Sequence, residues 1–307
     1  MNAREHFVAA ARGEQTHRPP VGAWVHFGTA LAAPEQTARA HLDFLDAYGW
    51  DYLKVMHDYR LPALAPDQGP LRDRVEAFGA AGDEAASFER QRSVLRLIRE
   101  ANAEVALVET IFSPLQTVIR SLGADVVALF QQDGDLANQV LGRVSQLLAN
   151  YVADLPALQV DGLFMAVTGA SADWTSFGIT DEQFRSWVAP HDQTVLAAAT
   201  PLVRIAHLHG DSLRLDLISE HDYEVASWSD LVSGPTIAQV LGQGRLPMLG
   251  MDERASSYWS TQQVHDQVLR ARREAGDRLI VAPNCTLHSD TNPEVFRALR
   301  SAVELPL

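Results

Sequence analysis

The sequence predicts an α/β protein of the (β/α)8 barrel class. Eight short apolar runs recur along the 307 residues, mostly continuous rather than alternating, as expected of parallel strands covered on both faces. Stretches with helical periodicity separate them, and such alternation builds a parallel sheet wrapped by helices. No run opens into the G-x-G-x-x-G loop that a doubly wound dinucleotide fold requires.

The runs are Val21–Phe27, Tyr52–Met56, Val105–Phe112, Gly162–Ala166, Val203–Ala206, Glu224–Trp228, Pro247–Gly250 and Leu279–Ala282. After the first, Glu35–Tyr48 brings Ala38, His41, Leu42 and Leu45 to one helical face. After the second, residues Pro62–Ala86 are rich in Pro, Gly and Ala and read as an excursion, with Phe78–Gly82 as a candidate mobile segment. Arg90–Glu100, Leu136–Leu155, Asp181–Ala199, Thr261–Ala275 and Asn292–Val303 carry apolar residues at helical spacing. Thr180-Asp181-Glu182, Ser260-Thr261 and Asn292-Pro293-Glu294 have the form of helix starts. No repeat, linker or boundary interrupts the series, so one domain is expected over residues 1–307.

Composition limits the function. With 47% hydrophobic residues the chain can bury a large core, and a net charge of −14 argues against affinity for nucleic acid or an anionic membrane. There is no apolar run of spanning length and no apolar signal-peptide core at the N-terminus, which makes the cytoplasm the expected compartment. The single cysteine, Cys285, excludes an intramolecular disulfide and a multi-cysteine zinc module. The single lysine, Lys54, stands among 25 Lys and Arg residues, a bias attributable to the codon usage of a GC-rich genome.

Barrels of this class keep their chemistry at the carboxyl ends of the strands. Those ends carry His26, then His57-Asp58, Phe112-Ser113, Thr168-Gly169, His207-Leu208-His209, Trp228-Ser229-Asp230, Asp252-Glu253 and Asn284-Cys285. Helix capping explains part of this polarity. It does not explain His207-x-His209. Residues two apart on a strand point the same way, so the two imidazoles can share one metal ion, with Cys285 as third ligand and zinc as the ion that suits the set. Two histidines making ordinary hydrogen bonds are the structural alternative. Asp58 and His57 form a candidate acid/base pair, of which alternation lets one face the site, and His26 is a third candidate. Trp24, Phe112, Trp228 and Asp230 are the expected substrate contacts. Glu109, a charge inside an apolar run, is either a further metal ligand or part of a buried polar layer. His6, His17, His41, His191 and His265 are expected at the surface.

These residues give the chain a resemblance to the uroporphyrinogen decarboxylase superfamily over nearly its whole length. It is carried by Arg18-Pro19-Pro20-Val21-Gly22-Ala23-Trp24, Asp51-Tyr52-Leu53-Lys54-Val55-Met56-His57-Asp58, Val160-Asp161-Gly162-Leu163-Phe164, Ile179-Thr180-Asp181-Glu182-Gln183-Phe184 and Pro190-His191-Asp192. His207-Leu208-His209-Gly210-Asp211 resembles the family's H-x-C-G stretch. Ala282-Pro283-Asn284-Cys285-Thr286-Leu287 with Asp290-Thr291-Asn292-Pro293-Glu294 resembles its P-G-C-x-(I/L)-x-x-D-T-P-x-E stretch. The resemblance implies a (β/α)8 barrel and two functional branches.

The decarboxylase branch implies a tetrapyrrole substrate, an arginine-rich stretch after the first strand, an aspartate after the second, and no metal. Asp58 falls at the aspartate's place, but Val25–Ala30 lacks the arginines, and Cys285 fills the position of a late histidine. The methyltransferase branch implies zinc held by H-x-C and a later Cys, with the methyl group taken from a corrinoid protein or another donor. His207 and Cys285 match two of those ligands, and His209 replaces the middle cysteine with a less electron-rich donor.

The expected function is therefore a zinc-dependent methyl- or alkyltransferase acting on a small molecule, with a homodimer as its expected assembly. A metal-independent decarboxylase using Asp58 and a non-catalytic binding subunit are the alternatives.

Overall fold

A computed structural model describes residues 1–307 apart from 81, 83, 174, 175 and 233. Part of the Phe78–Gly82 segment, Ala81, thus lies outside the described residues. Seven parallel strands form one sheet in chain order: β1 Tyr52–Val55, β2 Ala106–Phe112, β3 Gly162–Val167, β4 Val203–Leu208, β5 Val225–Ser227, β6 Leu246–Met251 and β7 Ile280–Pro283. They match the last seven expected runs to within a few residues.

The first expected strand, Val21–Phe27, is not one. It makes only two isolated parallel bridges, Val21 with Val281 and Val25 with Leu287. Pro19 and Pro20 at its entrance have no N–H to offer a ladder. Even so, the carbonyl of Pro20 accepts from Val281 N–H at 2.8 Å and that of Val21 accepts from Asp51 N–H at 2.9 Å. The segment therefore touches both outermost strands of the sheet, β7 and the entry to β1. Asp51 secures this join, accepting from Val21 N–H and from the Arg18 guanidinium at 2.6 and 2.9 Å.

The predicted helices are present as Pro34–Tyr48, Glu84–Ala101, Gly134–Ala153, Thr261–Ala275 and Pro293–Ser301. The Asp181–Ala199 stretch is broken. A π-helical turn, Phe184–Val188, precedes the helix Ala189–Ala198. Pro190 accounts for the break, because its ring would meet the carbonyl four residues back in a regular helix. Short helices that the periodicity did not reveal occupy Ala3–Ala11, Leu71–Ala77, Pro114–Leu122, Asp125–Gln132 and Ile237–Gly242. Among the described residues no helix is long and apolar enough to cross a membrane.

Strand alternation divides the interior into two cores. The outer one packs the helices onto the convex face of the sheet. The inner one gathers residues from all seven strands, among them Tyr52, Val108, Phe164, Ile205, Val225, Met248 and Ile280. The Ala3–Ala11 helix sends Phe7 and Ala11 into this inner cluster. The Phe7 ring lies 5.0 Å from that of Tyr52, at the amino-terminal end of the strands. That end is thereby packed, and the carboxyl ends carry the polar side chains.

Candidate metal centre

His207 lies in β4, and His209 follows the strand's last residue. The backbone stays extended long enough for both imidazoles to emerge on the inner face. Cys285 is positioned from the other side of the sheet, two residues beyond β7. Its neighbour Asn284 fixes the approach. The Asn284 N–H donates to Met251 O at 2.8 Å, its Oδ1 accepts from Gly250 N–H at 3.0 Å, and its Nδ2 donates to Asp230 Oδ1 at 3.0 Å.

The three side chains converge. Cys285 Sγ lies 3.5 Å from His207 Nε2 and 3.9 Å from His209 Nδ1, and all three donor atoms are within 4.8 Å of one another. Ligands on tetrahedral zinc stand about 3.6 Å apart for a sulfur–nitrogen pair and about 3.4 Å for two nitrogens. The sulfur–nitrogen separations lie within about 0.3 Å of that value.

The donor chemistry also fits. Burial, with positive charge on His209 and Lys54 as smaller contributions, holds His207 well below the usual imidazole range. Burial also lowers His209, against the pull of Asp173 and Asp211. Both rings therefore keep free lone pairs near neutrality. Burial and then Glu253 push the Cys285 thiol up to about 11, so without a cation it carries its proton. A bound metal ion is what displaces such a proton. His207 Nδ1 lies 3.1 Å from Ser227 Oγ. With the Nδ1 proton donated there, Nε2 faces the cysteine as an acceptor, and the Phe164 ring stacks on the imidazole at 5.1 Å. His207 is buried, Cys285 half-buried and His209 exposed, so the cluster opens to solvent on the His209 side.

The cluster borders a cavity of about 180 Å3, whose walls include Trp24, His26, Lys54, Met56, Thr110, Phe112, Gln116 and Phe164. Of the residues expected at the site, Trp24, Phe112 and His26 therefore line it. Asp58 is joined to it through His26, with Oδ1 2.7 Å from Nδ1. Burial works to raise the Asp58 carboxyl, but the hydrogen bond and charge of His26 outweigh it and hold the group below its ordinary range.

Four residues are placed elsewhere. His57, one step from Asp58, turns to the helix side and pairs with Glu109 at 3.0 Å. Glu109 also accepts from Gln91 and Tyr151, so it belongs to a buried polar network and not to the metal donors. Trp228 does not face the cavity. Ser227 takes the inward position on β5, so alternation sends Trp228 into the outer core, where its indole N–H donates to Pro235 O at 2.9 Å. Asp230 is engaged by Arg270 at 2.6 Å as well as by Asn284.

Two histidines expected at the surface are buried. His6 Nε2 lies 2.8 Å from Arg18 O. His41 bridges Thr37 O and Met56 N–H, as its place on the apolar helix face would have indicated. The sequence reading also missed Lys54, Thr110, Ser227 and Asn284. For Lys54 a signal was present: like Glu109, it is a charge inside an apolar strand.

The model of one protein family, uroporphyrinogen decarboxylase (URO-D), matches residues 68–305. No curated protein matches the chain. Among solved structures, a methyltransferase from Methanosarcina mazei is similar over 99% of this chain and 98% of its own, with a TM-score of 0.80 and 15% identity. That likeness shows the fold. A chitinase-like agglutinin from Robinia pseudoacacia covers 92% of this chain and 98% of its own at 13% identity, with a TM-score of 0.46. A tryptophan synthase subunit alpha from Legionella pneumophila covers 99% of each chain at 12% identity, with a TM-score of 0.43. Neither of these two carries a functional argument.

Proposed function

The chain belongs to the uroporphyrinogen decarboxylase family, and from that premise we propose that it is a zinc-dependent enzyme transferring a methyl or other alkyl group to a small nucleophile. His207, His209 and Cys285 would hold the ion. The observation that carries the reading is the convergence of these three donors from two distant strands, with both sulfur–nitrogen separations close to those on tetrahedral zinc. Zinc in such a site lowers the pKa of a thiol or related nucleophile, so that the reactive anion exists near neutral pH.

The chain's own residues supply the rest. Ser227 orients His207, and Asn284 orients Cys285. Trp24, Phe112 and Phe164 wall the cavity with apolar surface that excludes water. His26, held by Asp58, presents an imidazole that can take or return a proton at the cavity rim. On the same reading Val21–Phe27 is an incomplete eighth stave of a barrel, one domain spans the chain, and the protein works in the cytoplasm. A corrinoid protein or another methyl donor would approach from the open His209 side, and a homodimer remains the proposed assembly.

The Asp58–His26 pair is the observation on the side of a metal-independent decarboxylase. Against that alternative, no arginine lines the cavity among the described residues, whereas a tetrapyrrole with many carboxylates calls for guanidinium forks. The cavity itself weighs against an idle scaffold.

Metal analysis of untagged protein tests the proposal. About one zinc per chain is expected, falling close to zero in Cys285→Ala and His207→Ala while far-ultraviolet circular dichroism is unchanged. A zinc content that is negligible, or that Cys285→Ala leaves intact, would overturn it.

A further inference from the structure

Lys54 is the chain's single lysine, and it is not on the surface. It is buried in β1 and lines the same cavity as the metal donors. Its Nζ lies 4.2 Å from the Phe164 ring centroid and 4.8 Å from that of Trp24. Its one hydrogen-bond partner among the described residues is the thioether of Met56, at 3.3 Å. A thioether is a weak acceptor, and an ammonium has three donors to satisfy. No carboxylate forms a salt bridge with it among the described residues. On the neighbouring strand the buried Thr110 Oγ1, also lining the cavity, has no hydrogen-bond partner among the described residues. Burial pushes the ammonium down to about 7, and the more distant Cys285, Glu109 and Asp58 only partly counter it.

Buried polar groups in folded proteins are nearly always paired. Two under-paired groups on the wall of one cavity mark the place where a ligand supplies the partner. We propose that Lys54, assisted by Thr110, is the receptor for an anionic group, a carboxylate or similar oxyanion, on the small substrate that enters this cavity. The substrate class is then a compact monoanion with an apolar body, matched to a cavity of about 180 Å3 whose other walls are largely Trp24, Phe112, Phe164 and Met56. Composition points the same way. The bias that made every other basic side chain arginine left this one a lysine. A guanidinium needs in-plane acceptors for its fork, while an ammonium flanked by two rings offers one point charge to one anion. The proposal rests on the cavity being the active site, but not on the metal.

Because the chain has one lysine, amine labelling reads this residue directly, with the N-terminal amine as internal reference. The protein as purified is acetylated with acetic anhydride in the presence of butyrate or of its neutral analogue butyramide, and the two amines are quantified by mass spectrometry. Saturating butyrate should slow labelling of Lys54 about tenfold relative to the N-terminus, and butyramide less than about twofold. The same result should hold in chelator-treated protein and in Cys285→Ala. Equal protection by both compounds, protection by neither, or a Lys54 that the reagent cannot reach in the free protein would overturn the proposal. So would protection that disappears with the metal, since the carboxylate would then sit on the zinc. Failure of the zinc assignment shows instead in metal content, so the two outcomes are distinguishable.

Discussion

Lys54 and Glu109 are adjacent in the sheet and opposite in circumstance. In the β1–β2 register Lys54 stands opposite Val108, and Val55 opposite Glu109, so the two charges are one step apart and face opposite sides. Both are buried. Glu109 points to the helices and meets His57 at 3.0 Å, Gln91 at 2.9 Å and Tyr151 at 2.8 Å. Lys54 points to the cavity and meets a thioether and two rings. On the helix side the fold supplies every partner that a buried charge needs. On the cavity side it leaves the charge under-paired, which costs stability and makes sense where a ligand completes the set.

The contrast can be broken most directly at Glu109. Glu109→Ala removes the acceptor that three buried groups share, and should lower unfolding stability by about 3–5 kcal/mol in urea denaturation. A loss under about 1 kcal/mol would mean that the network is no better satisfied than Lys54. Lys54→Met should act in the opposite direction. It keeps an unbranched chain between the rings and removes a poorly paired charge, raising stability by about 2–4 kcal/mol at pH 7.

The pH dependence sharpens the test at Lys54. The group titrates at about 7 when folded and 10.5 when unfolded. Between those values the unfolded chain holds a proton that the folded chain lacks, so stability rises with pH across the window. The burial penalty is complete below pH 7 and gone above 10.5. The gap between Lys54→Met and wild type should therefore narrow when urea midpoints are compared at pH 7 and pH 10.

His41 extends the comparison to a satisfied group that must stay neutral. Its Nδ1–H donates to Thr37 O at 2.8 Å, and its Nε2 accepts from Met56 N–H at 3.0 Å. Burial pushes its pKa from 6.5 to about 4. Its contribution is intact above pH 6.5, is lost as pH falls, and is gone near pH 4, a change of about 3 kcal/mol. His41→Gln should flatten that part of the stability profile. The smallest effect is expected at Ser227. On the proposed function, Ser227→Ala frees the His207 ring and should weaken zinc binding about 10- to 100-fold in competition with a chromophoric chelator, with little change in unfolding.

What the sequence made legible follows from periodicity. Alternation placed His207 and His209 on one side and required His57 and Asp58 to part. The apolar runs located β1 to β7, and with them the strand end that carries Cys285. Other features depended on partners distant in sequence. Val21–Phe27 has a strand's composition, but its ladder is limited by the prolines at its entrance and by what β7 and Asp51 present to it. Trp228 looked like a pocket residue because it ends an apolar run, yet only its phase relative to Ser227 decides the side. Lys54 was obscured by a compositional explanation that was sound for the rest of the chain. The charge inside the Tyr52–Met56 run was the contrary sign.

The Ala3–Ala11 helix, with Phe7 set against Tyr52, turns the inner space into a cul-de-sac. On the proposed function, reactants and products would share the doorway at the carboxyl ends, and traffic would be a matter of order. A guest lodged deepest, against Lys54 as proposed, would have to arrive first and depart last. On the same reading, a donor too large to pass the rim would deliver its group over the head of a guest already seated.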